Sequence, residues 1–413
     1  MYFLYSLIQI VLFFLFLVFS STRKSHFASI PNRVGFSPFP KMNHPIWIHA
    51  VSVGEVLSVK RLIERMKQEF PNDSIVLSTI TPTGQQVVKN PSYQTDALIF
   101  FPFDIGFSVN RFLDKVDPKM IVIAETEIWP HFLRGCQRRN VPVLWVNGRI
   151  SDKSYPRYLW IRGLLKNVLN CYTVIGMQTN LDRQRVIALG ADPQKVLVMG
   201  NFKYDMSFSP VTLDSALSET LAASDPLWIA ASTMPSEETM LLDAYRQLVE
   251  RHPKLRLLIA PRHPERFNEV ESFIKKSGLL YARRTNLHGT PQVILLDSLG
   301  ELSAAFAFAR VVFIGGSLAP YGGHNLLEPA FFSKPILFGP HMENFLDSSA
   351  RFLRAEAAIA VASLDTLVSS VDKILSDSEF SLKLGENARK IVDENQGATE
   401  KTIALIRAQI KKI

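Results

Sequence analysis

The sequence holds only two cysteines, Cys136 and Cys171, in 413 residues. Two thiols cannot build a disulfide framework, and they lack the paired spacing of a zinc site. They read as core or free thiols, since unbridged cysteine is usually buried. The nine histidines include no H-x-x-x-H or H-E-x-x-H spacing, and there is no D-x-D dyad, so a metal site is not supported. No G-x-x-x-x-G-K-[ST] run occurs, which argues against a P-loop ATPase. No RNA-binding motif or zinc finger accompanies the basic balance, so nucleic acid is not an expected partner. The first nineteen residues contain no charged side chain.

That last absence is also a presence. Met1 to Phe19 is dense in Leu, Phe, Ile and Val. As a helix it would span ~28 Å, about one hydrocarbon core. No basic n-region precedes it and no A-x-A-like cleavage site follows, which disfavours a secretory signal. Arg23 and Lys24 come just after the apolar run. The positive-inside rule then places the bulk of the chain in the cytoplasm. The expectation is a single-span anchor in the inner membrane; an interfacial helix is the other reading.

Net charge is +8, with 47% hydrophobic and 20% charged residues, a globular composition. The charge is uneven. Arg134, Arg138, Arg139, Arg149, Lys153, Arg157, Arg162 and Lys166 are opposed within their window only by Asp152. Such a window is either a solvated face or a surface for anionic lipid, since each basic residue near a membrane contributes about 1 kcal/mol.

Length favours two domains. Apolar strands alternate with amphipathic helices in two series, the pattern of parallel sheets with functional loops at the strand C-termini. The reading is α/β: residues 1–20 a membrane anchor, 21–44 a linker, 45–205 a first Rossmann-like domain, 206–226 a junction. A second Rossmann-like domain follows over 227–395, and 396–413 form a basic amphipathic helix that could pack back on the first. Five strands are expected in the second series: Leu227 to Ala231, Leu255 to Ala260, Val293 to Leu296, Arg310 to Ile314 and Pro335 to Phe338. Two such domains would face a central cleft, where ligands bind.

The second series carries phosphate-binding chemistry. Strand Arg310 to Ile314 runs into Gly315-Gly-Ser317, then Gly322-Gly-His-Asn-Leu-Leu-Glu328. Glycines admit close backbone approach and a helix N-terminus favours an anion. Glu328 suits a ribose diol. Arg262, after the second strand, suits a phosphate because guanidinium is planar and always charged. The Leu299-Gly-Glu301 turn is a further candidate. The first series offers carboxylates instead. Glu55 follows Ser52-Val-Gly54 where a strand turns into a helix. There the helix dipole favours the charged form, so a raised pKa would need burial or another acid. Glu125 and Glu127 flank Thr126 at another strand end and suit general-base work on a hydroxyl. Lys203 could meet developing negative charge. Each of these also has a plain structural reading: a helix cap for Glu55, loop bonding for the Glu125–Glu127 pair, an exposed lysine for Lys203.

Seven ordered runs resemble the 3-deoxy-D-manno-octulosonic acid (Kdo) transferases of lipopolysaccharide synthesis. They are His49-Ala-Val-Ser-Val-Gly-Glu55, Ser78-Thr-Ile-Thr-Pro-Thr-Gly84, Ala124-Glu-Thr-Glu-Ile-Trp-Pro130, Asn147-Gly-Arg-Ile-Ser151, Gly200-Asn-Phe-Lys-Tyr-Asp205, Ala260-Pro-Arg-His-Pro-Glu-Arg-Phe267 and Gly315-Gly-Ser…Gly-Gly-His-Asn-Leu-Leu-Glu328. The likeness covers residues 1 to about 345. It implies a GT-B glycosyltransferase that inverts configuration, uses no cofactor, and moves Kdo from CMP-Kdo to a lipid A precursor, lipid IVA, at the cytoplasmic membrane face. It implies Glu55 as the base, with Glu125 and Lys203 as transition-state stabilisers. It assigns CMP to Pro261, Arg262 and His263, to Leu299, Gly300 and Glu301, and to Asn325, Leu326, Leu327 and Glu328. The basic window would then meet the anionic membrane or the acceptor's phosphates. The rival readings are a GT-B enzyme using another nucleotide sugar, such as a UDP-sugar transferase or epimerase, and a membrane-anchored nucleotide-binding module without catalysis.

Overall fold

The structure, a computed structural model, describes residues 2–20, 30–90, 93–205, 213–222 and 225–412. The chain divides into two compact units: Met1–Met206 with Asn395–Ile413, and Ser207–Glu394.

In the first unit an apolar helix α1 (Tyr2–Ser20) precedes seven strands: β1 (Ile46–His49), β2 (Ile75–Thr79), β3 (Ala97–Phe100), β4 (Met120–Ala124), β5 (Val143–Gly148), β6 (Val174–Met177) and β7 (Val196–Val198). All pair in parallel, in the order β3-β2-β1-β4-β5-β6-β7. Parallel strands need crossovers, and helices cover both faces, so the central strands are apolar without alternation. Ile46, Trp47 and Ile48 are fully buried. Helix α2 (Val53–Glu69) follows β1 and buries Val56, Val59, Leu62, Ile63 and Met66, spaced by three and four residues. Each such side chain contributes about 1.5–3 kcal/mol on burial.

The second unit repeats the plan with β8 (Leu227–Thr233), β9 (Arg256–Pro261), β10 (Tyr281–Arg283), β11 (Val293–Leu295), β12 (Val311–Ile314), β13 (Ile336–Phe338) and β14 (Ile359–Ala360). Their order is β10-β11-β9-β8-β12-β13-β14, all parallel. Strand order reverses between β1 and β4 in one sheet and between β8 and β12 in the other. Loops leaving the strand C-termini open a crevice at such a reversal. The loops after β1 and β4 carry Glu55, Glu125 and Glu127. The segments that leave β8 and β12 carry Met234 to Glu237 and Gly315 to Leu318.

The last helix, Ala398–Ile410, joins the first unit. Its Ala398, Ile403 and Ile406 share a core with Val56, Val59 and Leu62 of α2. Asp205 caps it, accepting from Gly397 N at 2.6 Å and from Thr399 N. Arg65 of α2 grips Glu400 with two donors, 2.5 and 3.1 Å.

Several expectations need correction. The second sheet has seven strands, not five. The missed β10 and β14 are three and two residues long, too short to show any period. After the Leu299–Glu301 turn comes one α-turn, Leu302–Ala305, followed by a 3-10 turn, Phe306–Phe308. The helix at Glu328 is only five residues, Leu327–Phe331. Among the described residues no helix is long and apolar enough to cross a membrane, so the single-span anchor has no support there. Arg23 and Lys24, which oriented that anchor, lie outside the described residues, as do most of the 21–44 linker's first half and residues 206–212 and 223–224 of the junction. Cys136 and Cys171 are both buried and unbridged.

Candidate functional site

Ser52 begins α2 as its N-cap, accepting from Glu55 N. Glu55 answers in reverse: its carboxylate accepts from Val51 N at 2.8 Å and from the Ser52 hydroxyl at 3.2 Å. This reciprocal cap orders the loop after β1. The capping role and a chemical one are therefore compatible, since two bonds leave lone pairs on both oxygens.

Strand β4 ends at Ala124, so alternation does not govern the two acids beyond it. Glu125 takes a left-handed backbone, φ 57°. A non-glycine residue held there stores about 1 kcal/mol or more and needs its surroundings to hold it. Its amide donates to Val146 O at 3.0 Å, and the Trp145 indole donates to its carbonyl. Tyr172, fully buried, donates its hydroxyl to Glu127 O at 2.7 Å. Both turns of the loop are thus held by aromatic donors from the sheet side.

These loops bring Glu55, Glu125 and Glu127 close enough to feel one another's charge. Burial and then Glu125 push Glu55 up to about 7, against the pull of Val51 N–H and Ser52. Burial and then Glu55 push Glu127 up to about 8. Burial also raises Glu125, but Lys203 and Arg149 draw it back. The raised Glu55 thus has both causes that the helix dipole demanded, burial and a second acid. Burial and like charge nearby thus both favour protonation within this cluster. Among the described residues no group of three or more His, Cys, Asp or Glu is placed to hold a metal ion.

Lys203 rides on a 3-10 turn, Phe202–Asp205, and is exposed. Asn147, buried and itself left-handed (φ 52°), accepts from Phe202 N at 3.1 Å. Asn201 accepts from Lys203 N at 2.9 Å and donates to Gln178 at 2.9 Å. Asp205 ties the turn's far end to the last helix. The lysine's backbone is fixed while its amine is free to swing. Arg149, quoted only as part of a motif and a basic window, emerges as a second cation at Glu125.

In the second unit Arg262, His263, His324, Asn325 and Glu328 gather. Arg262 N donates to Thr233 O at 3.0 Å, and its side chain is exposed. Burial, then Arg262 and His263, push His324 down to about 4, so it is neutral. Burial raises Glu328, while Asn325, Ser303 and Arg262 pull it back. Asn325 Nδ2 sits 3.4 Å from Glu328 Oε1. Ser303 reaches Glu328 from the helix after the Leu299–Glu301 turn, so that turn adjoins the Glu328 end of the site. Leu299 is exposed and Gly300 is left-handed with open space where a side chain would go. Glu301 itself is engaged by Arg284 through Nε at 2.9 Å and Nη2 at 2.8 Å. Leu326 and Leu327 bury their side chains in the core, leaving only their backbone to serve a ligand.

The Gly315–Leu318 loop does not hold a free anion site. Buried Glu237 occupies it: Gly316 N donates to Oε2 at 2.7 Å, and Ser317 N and Leu318 N to Oε1 at 2.9 Å each. Met234 N adds a fourth bond at 2.9 Å. The glycines serve close packing. A Cβ on Gly315 would lie 2.5 Å from Ser232 O, and one on Gly339 2.1 Å from Ser317 O. The expected phosphate cradle is filled by the protein's own carboxylate, and the cations of the site lie beside it, at Arg262. Glu237 and His324 were not singled out in the sequence; an acid opening the helix after a first strand was the available signal for Glu237.

Residues 28–206 match the family described as 3-Deoxy-D-manno-octulosonic-acid transferase (kdotransferase). A 3-deoxy-D-manno-octulosonic acid transferase of Haemophilus influenzae is 35% identical over 89% of this chain and 87% of its own. One of Bordetella pertussis is 29% identical over 87% of this chain and 86% of its own. Among solved structures, a putative UDP-N-acetylglucosamine 2-epimerase from Listeria monocytogenes superposes with a TM-score of 0.60 at 13% identity. It covers 90% of this chain and 98% of its own, a likeness of fold alone.

Proposed function

The chain belongs to the 3-deoxy-D-manno-octulosonic acid transferase family, and from that premise we propose a full reaction for it. As a family member it is a glycosyltransferase of Kdo transfer in lipopolysaccharide synthesis, with two parallel-sheet α/β units of GT-B type. The proposed donor is CMP-Kdo, the acceptor a hydroxyl of a lipid A precursor such as lipid IVA, and the outcome inversion. The reaction takes place at the cytoplasmic face of the inner membrane.

The observation that carries this reading is the carboxylate cluster that the loops after β1 and β4 bring together. A general base works best with a pKa near the working pH. Glu55, at about 7, fits that requirement, and its charge is not consumed by an ion pair. Glu55 takes the acceptor proton as its oxygen attacks the anomeric carbon. Glu127, pushed up by burial and by Glu55, favours its protonated form. Glu125 lies beside Lys203 and Arg149, which offset part of the effect of its burial, and faces the positive charge that develops on the sugar. The bond to CMP breaks on the opposite side, and its phosphate leaves with the electron pair. Arg262 supplies fixed positive charge for it, and Glu328 accepts from the ribose hydroxyls. Pro261, His263, Asn325 and the backbone of Leu326 and Leu327 complete the CMP set. Leu299 and Gly300 border it, while Glu301 acts through Arg284.

The test is mass spectrometry of the product after incubation with CMP-Kdo and tetraacylated lipid A precursor. A mass increase by one or more Kdo residues is expected. Transfer from a UDP-sugar instead would reject the donor.

A further inference from the structure

The first unit runs to Met206 and resumes at Asn395. The turn that carries Lys203, Phe202–Asp205, thus ends where the chain leaves the unit. The last helix, Ala398–Ile410, begins just after it returns. Asp205 joins the two places across 192 residues of sequence. Its Oδ1 accepts from Gly397 N at 2.6 Å and its Oδ2 from Thr399 N. Gly397 holds the N-cap position of that helix, left-handed at φ 98° and with no side chain to accept from the first amides. Those amides have no partner within the helix itself. Asp205 brings them an acceptor, and a charge that the helix dipole favours.

The contact works on the turn as much as on the helix. Phe202, buried at the head of the turn, shares a core with Ala398, Ile403 and Ile406 of the last helix. Gly200, just before it, is left-handed at φ 95°, and a Cβ there would stand 3.4 Å from that of Ala398. Asn147 of β5 accepts from Phe202 N, and Asn201 accepts from Lys203 N. The turn is therefore held at its head by the sheet and at its tail by the last helix. Lys203 itself is exposed on a flexible four-carbon stem, so the reach of its ammonium is set by where this backbone sits. Burial raises Glu125, and Lys203, then Arg149, draw it back. A backbone shift of about 1 Å weakens such a pairing, and misplacement on that scale costs up to about 10²-fold in rate. A plain helix cap has another signature: about 1 kcal/mol of stability, with no tie to one lysine.

We infer that Asp205 is a positioning residue for the transfer reaction: by capping the last helix it fixes the turn from which Lys203 reaches Glu125, so the C-terminal helix serves the first unit's chemistry. This deepens the functional reading above and rests on the part that reading gives to Lys203 beside Glu125. The test is a double-mutant cycle on the full chain, with Asp205→Ala, Lys203→Ala and the two together, read by steady-state Kdo transfer and by amide exchange. Asp205→Ala should lower kcat by about 10–100-fold with the KM for CMP-Kdo unchanged. In the Lys203→Ala background the same change should cost less than about twofold more, because the two residues act as one unit. Asp205→Asn, a milder variant that keeps one acceptor, should fall between Asp205→Ala and the natural chain. Exchange should quicken together at residues 201–204 and 397–401 in Asp205→Ala. Losses of kcat that simply multiply in the double variant would overturn the inference. Faster exchange at 397–401 with the turn unchanged would overturn it too, as would full kcat in Lys203→Ala. Amide exchange needs no substrate, so the two readings fail separately. Coupled exchange without Kdo transfer by the natural chain sinks only the reaction, and multiplying losses with intact transfer sink only this inference.

Discussion

In the first unit Glu55 opens the helix after β1, beside the reversal of strand order. In the second, Glu237 opens the helix after β8, beside the corresponding reversal. Glu55 accepts one backbone N–H and one hydroxyl, and faces Glu125 and Glu127. Glu237 accepts four backbone N–H groups, which counter the effect of its burial. Burial raises both carboxyls. Topology therefore puts an acid at the crevice in both units, and hydrogen-bond satisfaction separates a reactive carboxylate from a structural one. A carboxylate with every oxygen spoken for is a pin in the fold. One with lone pairs left and a like charge nearby is poised to take a proton.

The largest expected effect tests the reactive side. Glu55→Gln keeps the shape and most of the cap but cannot accept a proton. Its kcat should fall by about 10²–10⁴-fold, with CMP binding by calorimetry unchanged. Retention of full transfer activity with normal CMP binding would refute the base assignment.

Glu237→Gln tests the structural side. One of its oxygens becomes an NH2 group, a donor facing donors. Two buried amides lose their acceptor, at a cost of about 2–4 kcal/mol. Denaturant unfolding should show this loss, and CMP affinity should weaken because the Gly315–Leu318 loop backs His324. The same substitution at Glu55 should cost under about 1 kcal/mol. Equal stability losses at the two positions would erase the distinction between them.

A smaller effect appears with pH. Glu55 and Glu127 ionise near 7 and 8 in the folded chain, against 4.5 unperturbed. Between about pH 4.5 and 8 the folded state holds protons that the unfolded state has released. Stability from this pair therefore falls as pH rises through that window. Glu127→Gln should raise the melting temperature at pH 8.5 more than at pH 5. The kcat/KM profile should climb through about pH 7 as Glu55 ionises. A flat acidic limb would mean that Glu55 carries no proton in the reaction.

The same contrast explains what the sequence disclosed. Both doubly wound sheets were legible, because fully buried parallel strands are continuous apolar runs such as Ile46–Ile48 and Ile121–Ala124. Glu55, Glu125 and Arg262 could be picked out as candidates because each lies in a segment that leaves a strand, and Glu328 because it opens a helix. The partner of a backbone amide was not. Nothing in Gly315-Gly-Ser317 tells whether its N–H groups serve a ligand or Glu237, almost eighty residues earlier. Nor could pairing alone separate Arg138 from Arg139, adjacent and equal in charge.

That last pair supplies the smallest prediction, and the one that asks whether acceptor recognition belongs to the first unit. Arg139 is tied to Asp114 at 2.6 Å, to Asn110 at 3.0 Å and to Gly135 O. One of the eight basic residues of the Arg134–Lys166 window is thus neutralised locally. Arg138 acts on His131, whose ring meets Ser6 of α1. Arg138→Glu should raise the KM for the lipid acceptor a few-fold, since one basic side chain at an anionic surface is worth about 1 kcal/mol and its reversal about twice that. Arg139→Ala should leave that KM nearly unchanged and cost stability under about 1 kcal/mol, as an exposed ion pair does. Neither change should move the KM for CMP-Kdo, whose proposed contacts lie in the second unit. Steady-state kinetics with the acceptor in anionic vesicles would show this split, and a shift in the CMP-Kdo KM from either variant would break the division of labour between the units.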